Sequence, residues 1–495
     1  MNVRVGMLLK ARPSSWRDPG DWVSLRPQPG VGWDQERASQ RVEPMKDPST
    51  VTRPEIAIPW GGESPLLLEI PGDWKVADVA WPDLSNPLDD YPTALTRALD
   101  EPLGILPVDA FLKSGSTVAI IVDDPSRWTP VREALPIVIG RLLDAGLRRD
   151  DISVSFGVGR HLAVDAKTMR LRVGEAIVDA HRCYSPPVDD LSAYEDLGMT
   201  LEGVPVRVFR PVASADLRVM IGSVLPHLQA GFGGGYKLIF PGTSHRSTLG
   251  ALHAKGLGGD QAARLLGSDA SENPMRRAIR SAAAKLGPCL SISHLLGPPG
   301  TVLHVATGTP DAVQDHLAGE ARRRFRAAEV DPGSVDVVVA GNDPWPGDPM
   351  MSFKVLLQHR AATRPGGVLV GFFWTDPREI DRSVPMPALR AIAATGRAGG
   401  WAIRQSLAAV DRVVSALHTP SEFLIRWARE LVVDRTVLVY APPLFDAIGP
   451  NLGPIRLFDD QKHLWKAAEA ALPGIRHPQC RVFPQGGLTY CPVPG

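Results

Sequence analysis

Cysteine is scarce. Four cysteines stand in 495 residues, at positions 183, 289, 480 and 491, too widely spread to form any Cys-x-x-Cys pair. That excludes a zinc ribbon and a thioredoxin-like motif, and it leaves no basis for a disulfide scaffold. Nor is there a surplus of charge of either sign, because 54 Lys plus Arg balance 54 Asp plus Glu. Proteins that live on nucleic acid or anionic lipid normally carry a basic excess or a basic block, so neither partner is expected. Long apolar runs are missing as well, none reaching the roughly 18–20 residues of a membrane span. The opening segment, MNVRVGMLLKARPSSW, breaks into charge and proline too soon for a signal peptide. Together these absences lead us to expect a cytoplasmic protein.

What is present points to an enzyme-sized α/β chain. With 44% hydrophobic residues it can bury proper cores, and at this length one core has usually stopped growing, so two domains are expected. Glycine and proline number 47 each, which suits many tight strand-to-helix connections. Residues 1–50 differ: Pro13, Pro19, Pro27, Pro29, Pro44 and Pro48 interrupt every periodic run, which predicts an irregular N-terminal extension. Met45 is a possible alternative start, since the first strand-like pattern, EIAIPW, begins at Glu55.

Beyond that point short β-rich runs alternate with helical stretches, predicting two α/β domains with mostly parallel sheets and an active-site cleft between them. Residues 117–122 (TVAIIV) read as a buried strand ending in Asp123-Asp124, followed by a helix over 135–147 and strands over 152–156, 206–209 and 217–221. The first domain, expected to carry catalysis and cofactor, spans 51–320. A helical stretch from Asp311 leads through Asp331-Pro332-Gly333 into a second domain, 330–458, with strands at 335–340, 368–373 and 436–440. Residues 459–495 are expected to form a helix and tail packing back on the first domain.

The densest chemistry lies in residues 226–253, PHLQAGFGGGYKLIFPGTSHRSTLGALH. Glycines 231 and 233–235 let backbone approach a ligand and expose N–H groups as anion donors. Lys237, flanked by Tyr236, Leu238, Ile239 and Phe240, is partly desolvated, which lowers its pKa and suits a nucleophile for acyl chemistry. The loop is no phosphate loop of Walker type, because Leu238 stands where Ser or Thr is needed, and no dinucleotide fingerprint, because Tyr236 stands where a third glycine is needed. His161 follows the loop GVGR just beyond one strand and His227 follows Pro226 beyond another, a plausible acid/base pair. His253, on a short predicted helix over 247–255, could bind a borderline metal such as nickel. In DDPSRWTP, Asp124 and Arg127 are three apart, so a turn can place both in one cleft where the guanidinium grips a carboxylate; a capped helix start with an internal ion pair is an equal alternative.

The order DDPSR, GVGRH, PHLQAGFGGGYKLIFPG, His253 and Asn273-Pro274 resembles the nickel-pincer lactate racemase family, with Lys237 ten residues after His227 and sixteen before His253. The resemblance implies a racemase or epimerase of 2-hydroxy acids that uses a pyridinium bisthiocarboxylate mononucleotide holding nickel in a sulfur-carbon-sulfur pincer. It makes Lys237 the covalent tether, His253 the nickel ligand, His161 and His227 the general acid/base groups, and Asp124 and Arg127 the residues that orient substrate and histidines. Gly233, Gly234 and Gly235 would seat the cofactor. The partners it implies are a small 2-hydroxy acid and the enzymes that build the cofactor.

In the second domain Lys354 matches the family's carboxylate-binding lysine, but Pro346 and Met351 stand where Asp and Gln are usual. Exchanging an amide for a thioether removes a hydrogen-bonding group and makes the pocket more apolar, which points away from lactate as substrate. Two competing readings are a degenerate relative that binds the nucleotide or a hydroxy acid without turnover, and a metal hydrolase with His245 and His253 as ligands.

Overall fold

The computed structural model describes residues 55–492, except 62, 106–111, 114, 160, 162, 257–263, 329–332, 346–348, 377–385 and 415–421. The expected extension of residues 1–50, with Met45, lies outside the described residues, as does Pro346. The rest is mixed α/β, built on two mostly parallel sheets.

The first sheet has six strands in the order Val302–Gly308, Cys289–Leu296, Leu217–Ser223, Val118–Asp123, Ile152–Gly157 and Arg182–Tyr184. Only the first two pair antiparallel. Val118–Asp123 is buried on both faces, as the continuous apolar run requires. Ile120 and Val122 face a core shared with helix Val131–Asp144, while Ala119 and Ile121 face helices Arg246–Lys255 and Pro274–Ala283. From Val118–Asp123 the chain pairs first on one side and later on the other, so a crevice opens at its carboxyl end, where such folds place their ligands.

The second sheet has seven strands, ordered Asn451–Leu452, Ile455–Phe458, Thr436–Tyr440, Thr363–Phe372, Val335–Gly341, Gln479–Phe483 and Lys75–Val79. It too reverses direction at a central strand, Val335–Gly341, whose carboxyl end leads through Asn342 to Trp345 into helix Pro349–His359.

Three placements differ from the sequence reading. Lys75–Val79, expected in the first domain, forms the edge of the second sheet. The C-terminal segment does not simply pack back on the first domain. Gln479–Phe483 is built into the second sheet, and helix Gln461–Ala470 covers that sheet through Leu464 and Trp465. Only the final turn returns, where Tyr490 meets the ring of Phe232 edge-on at 6.1 Å. The strand escapes notice because Arg481 interrupts its apolar pattern; the buried guanidinium is neutralised by Asp78 on the neighbouring strand, 2.7 Å away. Residues 206–209 belong to a separate antiparallel hairpin, Pro205–Phe209 against Tyr194–Met199. Among the described residues no helix is long and apolar enough to cross a membrane.

Candidate active site

The site grows from the carboxyl ends of adjacent strands. After Val118–Asp123 the chain turns sharply, with the Asp124 carboxylate accepting the Ser126 N–H at 2.8 Å and the Asp124 carbonyl accepting the Arg127 N–H at 2.9 Å. Asp124 does not pair with Arg127. Its Oδ2 lies 2.9 Å from Nδ1 of His161, which emerges beyond Ile152–Gly157. Burial opposes the charge on Asp124, but the hydrogen bonds from His161 and Ser126 outweigh it and hold the carboxyl down at about 2. The carboxylate therefore accepts the Nδ1–H hydrogen bond of His161, which keeps the ring proton on Nδ1 and the lone pair on Nε2. Asp123, the preceding residue, is tied instead to Arg172 at 2.6 Å and to Thr129, which stiffens the turn from behind.

His227 follows Leu217–Ser223. Its Nδ1 accepts the backbone N–H groups of Gln229 at 3.2 Å and Ala230 at 3.1 Å, so the neutral ring carries its proton on Nε2. Burial, followed by the charges of Lys237, Lys354, His253 and Arg276, pushes its pKa well below the ordinary imidazole range. Lys237 lies on the short helical turn Gly235–Leu238. Burial, then Arg276, Arg127 and Lys354, lowers its pKa far below that of a free lysine, and among the described residues its ammonium has neither a hydrogen bond nor an ion pair. A partly desolvated amine repelled by three cations is a nucleophile in its neutral form. Side chains from both sheets thus converge on one place, since Lys354 lies on helix Pro349–His359 of the second.

Close backbone packing locks the two sequence motifs together. Gly159 N–H donates to the carbonyl of Gly242 at 2.9 Å, and a Cβ on Gly157 would meet the Leu238 carbonyl at 3.0 Å. Gly234, at φ +76°, lies so near the end of strand Leu217–Ser223 that a Cβ would come within 2.8 Å of Val224. The glycines at 234 and 235 are buried and Gly233 is half-buried, so the run serves first to fold the loop tightly against the sheet. The loop's carbonyls are collected by Arg276, a residue that sequence reasoning missed. Its guanidinium donates to the carbonyls of Ala230 (3.2 Å), Phe232, Gly233 (2.6 Å) and Gly234 (3.1 Å). Burial lowers Arg276 to about 9, still charged at neutral pH. Asn273, recognisable as a helix cap from the following proline, also binds the Gln229 carbonyl at 2.9 Å and so braces the turn after His227.

His253 sits near the end of helix Arg246–Lys255, its Nδ1 donating to the Leu249 carbonyl at 2.8 Å. Anchoring a histidine through Nδ1–H to a carbonyl fixes its tautomer with the lone pair on Nε2, the arrangement metal-binding histidines adopt. His245 caps the same helix, its Nδ1 accepting the Ser247 N–H at 3.2 Å, and so has a structural task that the hydrolase reading did not foresee. Among the described residues no group of three His, Cys, Asp or Glu side chains could by itself hold a metal.

Arg127 stacks over the Trp345 ring at 4.9 Å, and its buried Nη1 has no partner among the described residues. Lys354 holds its ammonium 3.0 Å from Met351 Sδ and 5.6 Å from the centre of the Trp427 ring. Asp343, at the carboxyl end of Val335–Gly341, is buried against Gln485 at 2.7 Å, and burial raises it to about 6 despite that bond.

Residues 62–264 match the family model described as the lactate racemase N-terminal domain, and this span contains Asp124, Arg127, His161, His227, Lys237 and His253. That match covers the part of the chain that holds the first sheet's motifs, and curated relatives resemble the chain over a longer stretch. The chain is 24% identical over 323 residues to the lactate racemase of Thermoanaerobacterium thermosaccharolyticum, covering 64% of this chain and 73% of that one. With the lactate racemase of Lactiplantibacillus plantarum it shares 22% over 331 residues, 62% and 76% of the two chains. The fold agrees: the solved lactate racemase apoprotein of T. thermosaccharolyticum superposes with a TM-score of 0.72 at 18% identity, over 88% of this chain and 99% of that chain. A Thermotoga maritima protein gives 0.57 at 14% identity, over 83% and 99%. The matched residues 62–264 span the motifs of the first sheet, while Arg276 and Trp427 lie outside them and are explained by what they touch.

Proposed function

We propose that this chain is a racemase or epimerase of a 2-hydroxy acid other than lactate, working with a nickel-pincer nucleotide tethered to Lys237. The observation that carries the proposal is Lys237 itself, a half-buried lysine without an anionic partner among the described residues, in the same electrostatic field as Arg127, Lys354 and His227. The surrounding residues suit the nucleotide. A neutral amine can form the covalent link, the Nε2 of His253 can ligate nickel, and the charges of Arg127, Lys354 and Arg276 favour phosphate and carboxylate groups nearby.

When bound, the nucleotide supplies a reversible hydride acceptor, so that C2 of the substrate passes through a planar keto acid. The protein supplies position and protons. Arg127, through its unpaired Nη1, and Lys354 hold the substrate carboxylate. The Nε2 of His161, made the available base by the Asp124 carboxylate, takes the hydroxyl proton; the Nε2–H of His227 presents a donor to the same oxygen. Trp345 against Arg127 and Trp128, with rings 4.9 Å apart, closes the crevice between the two sheets and keeps water from the reacting carbon.

The test is intact mass and nickel content of the chain co-expressed with the enzymes that build the nucleotide, combined with chiral assay of a panel of 2-hydroxy acids. The expected result is a covalent adduct lost in Lys237→Ala, about one nickel per chain, and racemisation in which lactate is not the best substrate. An adduct without turnover of any acid would favour the non-catalytic binder. A higher kcat/KM for lactate than for every larger acid would refute the substrate assignment.

A further inference from the structure

We infer that His304 and His316 form a divalent-cation site at the edge of the first sheet, with a geometry suited to zinc. The inference stands apart from the racemase proposal and uses none of its residues. His304 lies on the edge strand Val302–Gly308, and His316 on the helix Pro310–Phe325 that follows it. Only the turn at Thr309 separates the two elements, its hydroxyl capping the helix by accepting the Ala312 N–H at 3.4 Å. The helix packs back on the strand it follows, and the two imidazoles, twelve residues apart in sequence, meet. Their Nε2 atoms stand 3.4 Å apart, with ring centroids at 5.0 Å and planes inclined by 69°.

That separation selects between two uses of the pair. For an N–H···N hydrogen bond, 3.4 Å is long. For two ligands of one ion it fits: two Zn–N bonds of about 2.0–2.1 Å at the tetrahedral angle place their nitrogens about 3.3–3.4 Å apart. The right angle of a square or octahedral arrangement would draw them to about 2.9 Å, so the spacing favours zinc over copper or nickel. Burial, followed by the charges of His316, Arg324 and Arg323, lowers the pKa of His304, which keeps that ring neutral and able to ligate at neutral pH. The two arginines do not leave the site uncompensated, because Glu320, one helical turn beyond His316, pairs with both, with Arg324 at 2.6 Å. His304 is half-buried and His316 exposed, so water completes the coordination and the ion is exchangeable. A bound ion ties the strand to a helix that backs the glycine loop, since Gln314 Oε1 lies 3.2 Å from the place a Cβ on Gly235 would occupy.

The test is calorimetric titration of zinc into the full-length chain, freed of metal by EDTA and returned to chelator-free buffer, for wild type, H304A, H316A and H253A. We expect wild type to bind about one zinc at a site that H304A and H316A each weaken by more than about tenfold, since disturbing even the hydrogen-bond partner of a ligand costs that much. H253A should keep it. Zinc should raise the Tm of wild type and H253A and leave that of H316A unchanged, because an ion bound only to the folded chain stabilises it. Binding should vanish at about pH 5, where protonated imidazole no longer ligates. Because His316 is exposed, H316A reads the site without disturbing the core if H304A folds poorly. Equal affinity in wild type, H304A and H316A, or no binding by wild type, overturns the inference. A site lost in H253A and kept in H316A overturns it as well, by placing the zinc in the crevice.

Discussion

Oδ2 of Asp124 lies 2.9 Å from Nδ1 of His161, so a carboxylate at the end of one strand sets the tautomer of an imidazole at the end of the next. Asp124→Asn keeps the shape and removes the charge. The amide can donate its own N–H to Nδ1, which would move the ring proton to Nε2 and occupy the base. Turnover should fall on the order of 10²- to 10⁴-fold, the range associated with one general acid/base group, with KM changed far less. Equal losses in kcat/KM and in thermal stability would instead mark Asp124 as a structural residue. The same pair gives a pH signature. Because the Asp124 pKa is depressed in the folded chain to about 2, against about 3.9 when unfolded, its stabilisation is present above pH 4 and is lost as pH falls from about 4 to 2. Denaturant midpoints of Asp124→Asn should vary less with pH across that window than those of wild type.

Lys237 should be a stability liability in the chain without its cofactor. Its ammonium is partly desolvated and repelled by Arg276, Arg127 and Lys354, so the folded state holds the proton more weakly than the unfolded one. Stability attributable to this residue therefore rises with pH toward the ordinary lysine range, the same sense as Asp124 but in a far more alkaline window. Lys237→Met, which keeps the chain length and removes the charge, should raise stability by about 0.5–2 kcal/mol at neutral pH while abolishing adduct formation. Urea unfolding of the two apoproteins at pH 7 measures it. A loss of stability would show that Lys237 is held by interactions other than those that lower its pKa.

The chemistry of the first sheet was legible because it is local. The residues DDPSR, GVGRH and GGGYKLIFPG each follow a recognisable strand, and a parallel sheet puts the ends of neighbouring strands side by side whatever lies between them. Three things were not legible. Asp124 pairs with His161 rather than Arg127, a choice made by the adjacency of two strands and not by spacing within a turn. Arg276 looks like one of several surface arginines on a helix, and only the fold shows its guanidinium beneath the glycine loop. Trp427 sits on a helix whose apolar face is ordinary in sequence, and its place beside Lys354 depends on how the second sheet's helices pack across the crevice. The misplaced strands have the same cause: Lys75–Val79 and Gln479–Phe483 meet across some four hundred positions of sequence, and no local pattern reports so distant a pairing.

Arg276 offers a test of how the glycine loop is held. Arg276→Met would fill part of the space but leave the carbonyls of Ala230, Phe232, Gly233 and Gly234 without their donor. Each buried carbonyl left unpaired costs about 1–3 kcal/mol, so a total loss of at least about 3 kcal/mol is expected even if some regain a partner. Hydrogen exchange should accelerate at residues 230–238 before it does in strand Val118–Asp123. Uniform acceleration across the first sheet would mean that Arg276 supports the whole fold and not the loop in particular.

Arg127 decides whether the crevice was built for a carboxylate. Its guanidinium is stacked on Trp345 with Nη1 buried and unpaired, a cost that a native structure tolerates where a ligand later supplies the acceptor. A planar fork stacked on an indole and aimed at a planar anion is poorly replaced by an ammonium, so Arg127→Lys should behave much like Arg127→Ala. Both should raise KM for the hydroxy acid and lower kcat/KM by roughly 10- to 100-fold, the worth of one charge-assisted hydrogen bond of about 1.5–3 kcal/mol. Replacing the substrate's carboxylate by a carboxamide should reproduce that loss in wild type and add little to it in Arg127→Ala, because the two changes delete the same contact. Fully additive losses would show that Arg127 acts on the Trp345 stack and that Lys354 alone receives the carboxylate.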